Sequence, residues 1–160
     1  MLRIVIGPSP RVIPLPSEYR LQFGRGVRLT EGSENVLMSY GPVMLNEALI
    51  AHEKLRARGL EVKVINMPWL NRFDEEWVEA ELQGCRNLFF LEDHSPVGGL
   101  GDALISHLVA RDAAAKLRIR KFGVTGFPAC GTPREVLGFH EVDGATIASR
   151  IRRELGDAEA

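Results

Sequence analysis

Apolar positions along this chain fall into short continuous runs separated by stretches of helical spacing, and the two periods alternate in order. Asn87 to Leu91 is a run of β-favouring side chains without polar alternation, which predicts a strand buried on both faces. Asn35 to Tyr40, with Val36, Leu37 and Met38, predicts another central strand; Val62 to Met67 alternates into a further one, halted by Pro68. Leu117 to Val124 supplies a fourth, and Gly26 to Thr30 a short edge strand closed by the turn Glu31-Gly-Ser-Glu34. Between these, Met44, Leu45, Ala48, Leu49, Ala51 and Leu55 keep helical spacing, with Pro42 in the first turn and Gly59 where a C-terminal cap belongs. His52 lies beside that stripe and reads as a packed boundary residue. Asp74 is placed to cap a helix running to about Gln83, with Trp77, Val78 and Leu82 inward. A helix starting at Asp102 carries Ala103, Leu104, Leu108 and Val109 towards Ala113–Ala115. Asp143 caps a last one with Ile147, Ile151 and Leu155 on one stripe. Strands alternating with helices predict an α/β fold: a three-layer α/β/α sandwich whose five-stranded sheet is mostly parallel, with an antiparallel edge strand at its start.

The first residues break this rhythm. Leu2 to Ile6 reads as a strand without a partner nearby, and Pro8, Pro10, Pro14 and Pro16 keep the following residues extended. Residues 1–24 are therefore expected to be a stub of something else plus a proline-rich linker. Residues 25–156 form the domain, and 157–160 a frayed tail. An apolar strand followed by a linker points to Met1 lying inside, or at a cut edge of, a larger architecture.

The totals narrow the class. A chain of 160 residues with 45% hydrophobic and 26% charged side chains is one globular domain, with neither repeats nor low-complexity segments. Its net charge of −1 leaves no electrostatic footprint for nucleic acid or an anionic membrane. The apolar start is too short for a signal peptide or a membrane span. Cys85 and Cys130 have no metal-ligand spacing, and reduced thiols in a cytoplasmic protein are the plain reading.

Candidate chemistry gathers behind the Asn87–Leu91 run. Glu92, Asp93 and His94 end it, Ser95-Pro96 turns the chain, and Gly98, Gly99 and Gly101 lead into the next helix. Open α/β sheets place ligands at the carboxyl ends of their strands. The triplet is then either an acid–base cluster or a solvated loop, and composition alone favours the loop. Gly99-Leu-Gly101 lacks the third glycine of a dinucleotide fingerprint, so close helix–strand approach or positive φ is the preferred reading of the glycines.

Several segments, in order, resemble the C-terminal domain of transketolase-type, thiamine-diphosphate-dependent enzymes. Val36-Leu-Met-Ser-Tyr-Gly41 with its helix resembles the family's first strand–turn–helix. Val64-Ile-Asn-Met-Pro68 followed by Phe73-Asp74 is similar to transketolases proper. Phe90-Leu-Glu-Asp-His94 with Gly98-Gly-Leu-Gly101 resembles split transketolases, deoxyxylulose-phosphate synthases and dehydrogenase β subunits. Phe122-Gly-Val124, Pro133 to Leu137 and Asp143 to Ile147 resemble the family's end. Leu2 to Gly7 looks like the last strand of a preceding pyrimidine-binding domain, with Arg3 matching a strand-end arginine and Ile6 standing where a second is often found.

The resemblance implies a non-catalytic C-terminal portion of an enzyme that moves a two-carbon ketol unit between sugar phosphates. That portion packs a homodimer and covers part of the substrate side. Thiamine diphosphate and magnesium would sit between pyrophosphate and pyrimidine domains, on a Gly-Asp-Gly…Asn motif and an activating glutamate that this chain lacks. The chain alone is thus expected to bind no cofactor and to hold no catalytic or metal residue. The preceding domains, or a subunit carrying them, are its partners. Glu92, Asp93, His94, Gly98, Gly99, Gly101 and Arg3 are the candidate substrate- or interface-facing positions. The alternatives are a free-standing docking module, or the C-terminal part of a deoxyxylulose-phosphate synthase or a 2-oxoacid dehydrogenase β subunit.

Overall fold

The computed structural model describes residues 9–157. The expected strand at 2–6, Arg3 within it, and tail residues 158–160 lie outside the described residues. Asp157, the first residue of the expected frayed tail, is tied by an ion pair to Arg152 at 2.9 Å.

Five strands, β1 (Val27–Arg28), β2 (Asn35–Ser39), β3 (Lys63–Asn66), β4 (Asn87–Leu91) and β5 (Arg118–Phe122), form one sheet in the order β1-β3-β2-β4-β5. β1 pairs antiparallel with β3, and every other pairing is parallel. The helices are α1 (Pro42–Arg56), α2 (Glu75–Leu82), α3 (Leu100–Val109), α4 (Pro133–Phe139) and α5 (Gly144–Glu154). None is long and apolar enough to cross a membrane.

The continuous apolar strands explain the three layers. Along β4, Phe89 and Leu91 join one core cluster with Ala48 and Leu55 of α1 and Ile147 and Ile151 of α5. Leu88 and Phe90 join the other, with Val78 of α2 and Leu100, Leu104 and Leu108 of α3. Successive side chains of a strand point to opposite faces, so a run without polar alternation needs cover on both. Asp74 caps α2 by accepting from the Trp77 amide at 2.9 Å, as its position predicts.

Three local expectations are corrected. α3 begins at Leu100, two residues before Asp102, and stops at Val109, which is exposed; Asp112 then takes a φ of 56° and turns Ala113–Ala115 out of the helix. Pro133–Phe139 is helical though the pattern assigned it no element, because Thr132 and Glu135 form a capping box there. Trp77 and Leu82 are only half-buried, and Glu81 lies deeper. Lys63, on the face of β3 that it shares with Ile65 and Met67, is also buried. α2 covers that side and supplies Glu81, whose carbonyl and carboxylate accept from the ammonium at 2.6 and 3.4 Å.

Candidate functional site

Chain direction reverses between β2 and β4. α1 carries the chain outward from β2 to β3, α2 brings it back across to β4, and α3 carries it on to β5. A crevice at the carboxyl ends of the two strands flanking such a reversal is where this architecture places ligands. The residues there are Tyr40 and Gly41 after β2, and Glu92 to Gly99 after β4.

Glu92 is fully buried, which excludes the solvated-loop reading for it. Its carboxylate accepts the first free amides of α3, from Leu100 to Oε2 at 2.8 Å and from Gly101 to Oε1 at 3.1 Å. A negative charge at a helix N-terminus also meets the positive end of the helix dipole. The Tyr40 hydroxyl lies 3.3 Å and His94 Nε2 3.4 Å from Oε2. Two backbone amides thus donate to one carboxylate, with the Tyr40 hydroxyl and the His94 ring beside it, the polar surround a buried charge needs. Gly99 is glycine because a Cβ would land on Glu92 Oε2. At Gly101 it would press on the Lys121 side chain at 2.7 Å. Close approach explains both, and positive φ (80°) explains Gly98.

Both ring nitrogens of His94 are engaged within the protein. Nδ1 is 2.6 Å from the Ser95 carbonyl and therefore carries a proton towards it. Nε2 is 2.6 Å from the Tyr40 hydroxyl. The His94 carbonyl accepts from the Val124 amide at 2.8 Å, and Gly123 passes beneath it where a Cβ would come within 2.5 Å. The loop after β4 is thereby fastened to the loop after β5. Asp93 is half-buried. Asp102 accepts from the Gly98 amide at 2.7 Å and from the Lys121 ammonium; the lysine, then that amide, hold its carboxyl below the usual range.

The structure therefore brings together Glu92, Asp93, His94, Gly98, Gly99 and Gly101, and leaves Arg3 outside the described residues. What it adds is Tyr40. The signal for it was the register: Ser39 stands opposite Leu91, so Tyr40 follows directly opposite Glu92. Chemically the cluster fixes two strand ends and a helix start. It offers an ordered surface rather than an open acid–base pair, because Glu92 has no free face and neither ring nitrogen is free. No group of three or more His, Cys, Asp or Glu that could hold a metal ion occurs among the described residues.

A groove of about 800 Å³ lies at the opposite, amino end of the sheet, lined by Leu82, Cys85, Leu108 and Leu117 among others. Burial pushes the Cys85 thiol up to about 11, with only partial relief from Lys63, so the thiol there is a protonated, inert core group.

The family model for the transketolase C-terminal domain matches residues 24–147. A transketolase C-terminal section from Methanocaldococcus jannaschii is 29% identical over 139 residues, covering 86% of this chain and 42% of that protein. A transketolase-family protein of Sinorhizobium fredii is 32% identical over 159 residues, covering 98% and 45%. A 1-deoxy-D-xylulose-5-phosphate synthase of Syntrophotalea carbinolica is 28% identical over 88% of the chain, which spans 22% of the synthase. The chain thus spans less than half the length of these relatives. Among solved structures, a split-gene transketolase described as an inactive β4 tetramer aligns over 86% of the chain with a TM-score of 0.75 and 25% identity. A transketolase of Pichia stipitis shares the fold at a TM-score of 0.60 and 19% identity.

Proposed function

The chain belongs to the transketolase C-terminal domain family, and from that premise we propose that it is the non-catalytic C-terminal portion of a ketol-transferring enzyme. The single observation carrying this reading is coverage. The family match takes in most of the chain, while the chain takes in only 42 and 45% of two relatives. Residues 25–156 are then the docking domain, and residues 1–24 the connection to domains that hold the cofactor. Those domains, on the same chain or on a partner subunit, are the companion, and a homodimer in the cytoplasm is the assembled state.

Thiamine diphosphate and magnesium belong, in this reading, to the companion domains. Among the described residues no group is placed to hold the metal, and Glu92 is already taken up by the Leu100 and Gly101 amides. No step through the cofactor is therefore derived from these residues. The contribution of Glu92, Tyr40 and His94 is to hold a rigid carboxyl edge against the companion. Preorganised surfaces bind better because less freedom is lost on docking. The Gly98 turn and the Gly99–Gly101 approach to the helix belong to the same facing edge.

The test is reconstitution. The chain, mixed with a segment carrying the pyrophosphate and pyrimidine domains, is expected to restore ketol transfer from a ketose phosphate to an aldose phosphate. Calorimetry of the chain alone with thiamine diphosphate and magnesium is expected to give no binding heat. Micromolar saturable binding by the isolated chain, or full turnover without it, overturns the reading. The synthase relatives give one second reading its support: if pyruvate replaces the ketose phosphate as donor, the parent is a synthase.

A further inference from the structure

The segment running from residue 125 through α4 has almost no core. Phe127 is 95% and Phe139 71% exposed, and no residue of α4 is buried. Three ties nevertheless hold it in one arrangement. The capping box of Thr132 and Glu135 starts the helix, and Leu137 packs on the core beneath α1 and α5. The third tie is His140, only 8% exposed, whose Nε2 lies 3.0 Å from the backbone nitrogen of Ala129.

That contact fixes a protonation state. A backbone amide only donates, so Nε2 accepts, and the ring is neutral with its proton on Nδ1. A hydroxyl partner could reverse its role when the ring charges. An amide cannot, because its N–H is fixed in the peptide plane. A second proton on the imidazole sets N–H against N–H and breaks the tie.

No carboxylate is bonded to the ring among the described residues to hold the charged form in place. Titratable and charged groups on the surrounding elements include Cys130 on the loop, Arg134 and Glu135 on α4, Glu141 and Asp143 between the helices, Arg150, Arg152, Arg153 and Glu154 on α5, and Glu47, His52, Glu53, Lys54 and Arg56 on α1. Glu135 closes the capping box, and Glu141 lies 4.0 Å from Arg150, which rests over Phe122. Asp143 and Glu47 both accept amides at the start of α5.

We propose that His140 is a pH-sensitive latch: its protonation releases the loop of residues 125–131, and with it the exposed Phe127, from α4. The loop leaves the carboxyl end of β5, the sheet end that the proposed function turns towards the companion. The consequence for assembly therefore rests on that reading, while the latch is a property of this chain alone. Above the histidine range the loop is presented in one conformation. Below it the same aromatic sits on a free loop, and docking must bear the cost of ordering it.

The test is backbone amide exchange by NMR on the full chain, titrated from about pH 8 to about pH 5, where histidines gain charge. Corrected for intrinsic rates, the Ala129 amide is expected to lose protection about tenfold, the equivalent of one hydrogen bond. The loss should share its midpoint with the His140 ring. His140→Gln, whose side-chain oxygen accepts at every pH, is expected to keep Ala129 protected throughout; His140→Ala should leave it unprotected at both ends. If His140→Ala does not fold, the glutamine variant still decides. The proposal is overturned if Ala129 protection is flat while His140 titrates, or falls identically in His140→Gln. Companion binding that is absent at every pH would strike the docking reading and leave the Ala129 readout untouched.

Discussion

Glu92 holds three pieces of chain with one side chain, so its replacement separates charge from shape. Glu92→Ala strands the Leu100 and Gly101 amides and empties buried volume, for an expected loss of about 3 kcal/mol. Glu92→Gln keeps the volume but turns one amide-facing oxygen into a donor, for an expected loss of about 1 to 2 kcal/mol. The midpoint of urea unfolding checks both, and an unchanged midpoint in Glu92→Ala contradicts the capping role. The sequence marked this residue as chemistry-bearing, and the structure makes its chemistry that of a helix cap. Tyr40 shows the reverse case. It sits at the end of a strand with nothing local to single it out, and becomes part of the cluster only through the parallel pairing of β2 with β4.

The same device recurs between elements. Glu47 of α1, also buried, accepts the Gly144 amide at 2.7 Å and so caps α5 across the helix pair, alongside Asp143. Gly144 allows the approach, since a Cβ there would stand 2.5 Å from the Glu47 carbonyl and 2.6 Å from Ile50 Cβ. Gly144→Ala is therefore expected to force α1 and α5 apart and to destabilise by about 2 kcal/mol, the usual scale of overpacking. Thermal melting measures it, and a stabilised variant would mean that the helix pair has slack the packing does not show. Asp143 was legible as a cap because caps are local. Glu47 was not, because its partner is 97 residues away.

At the scale of the molecule, several carboxyls are held below their usual range by partners present only in the folded chain. Asp102 is held by Lys121 and the Gly98 amide, Asp74 by the Trp77 amide and Arg25, and Glu53 by Arg11. Each binds its proton more weakly folded than unfolded. Their stabilisation is thus complete above the unfolded carboxylate range of about pH 4 and lost as pH falls through the depressed values. The melting temperature is expected to hold on going down to about pH 5 and to drop steeply below about pH 4. Asp102→Asn should flatten part of that drop, and an unchanged profile would remove this pair from the account.

The sequence by itself determined what depends on neighbours in the chain. The two periods of hydrophobic spacing set five strands and the helices between them, and the unbroken run of β4 required helices on both faces. Asp74 and Asp143 located two helix starts, and the ordered segments from Val36 to Ile147 carried the family. Tertiary structure alone decided what depends on residues meeting across the fold. The start of α3 moved to Leu100 because its cap comes from β4. Lys63 was buried because α2 supplies Glu81, and the glycines at 99 and 101 proved to be spacing for the Glu92 carboxylate and the Lys121 side chain respectively. His140 became a clasp only when a loop amide came to rest 3.0 Å from its ring. Periodicity and caps are written within a few residues of chain, whereas the partners of a buried polar group are chosen by packing, which no single stretch of sequence contains.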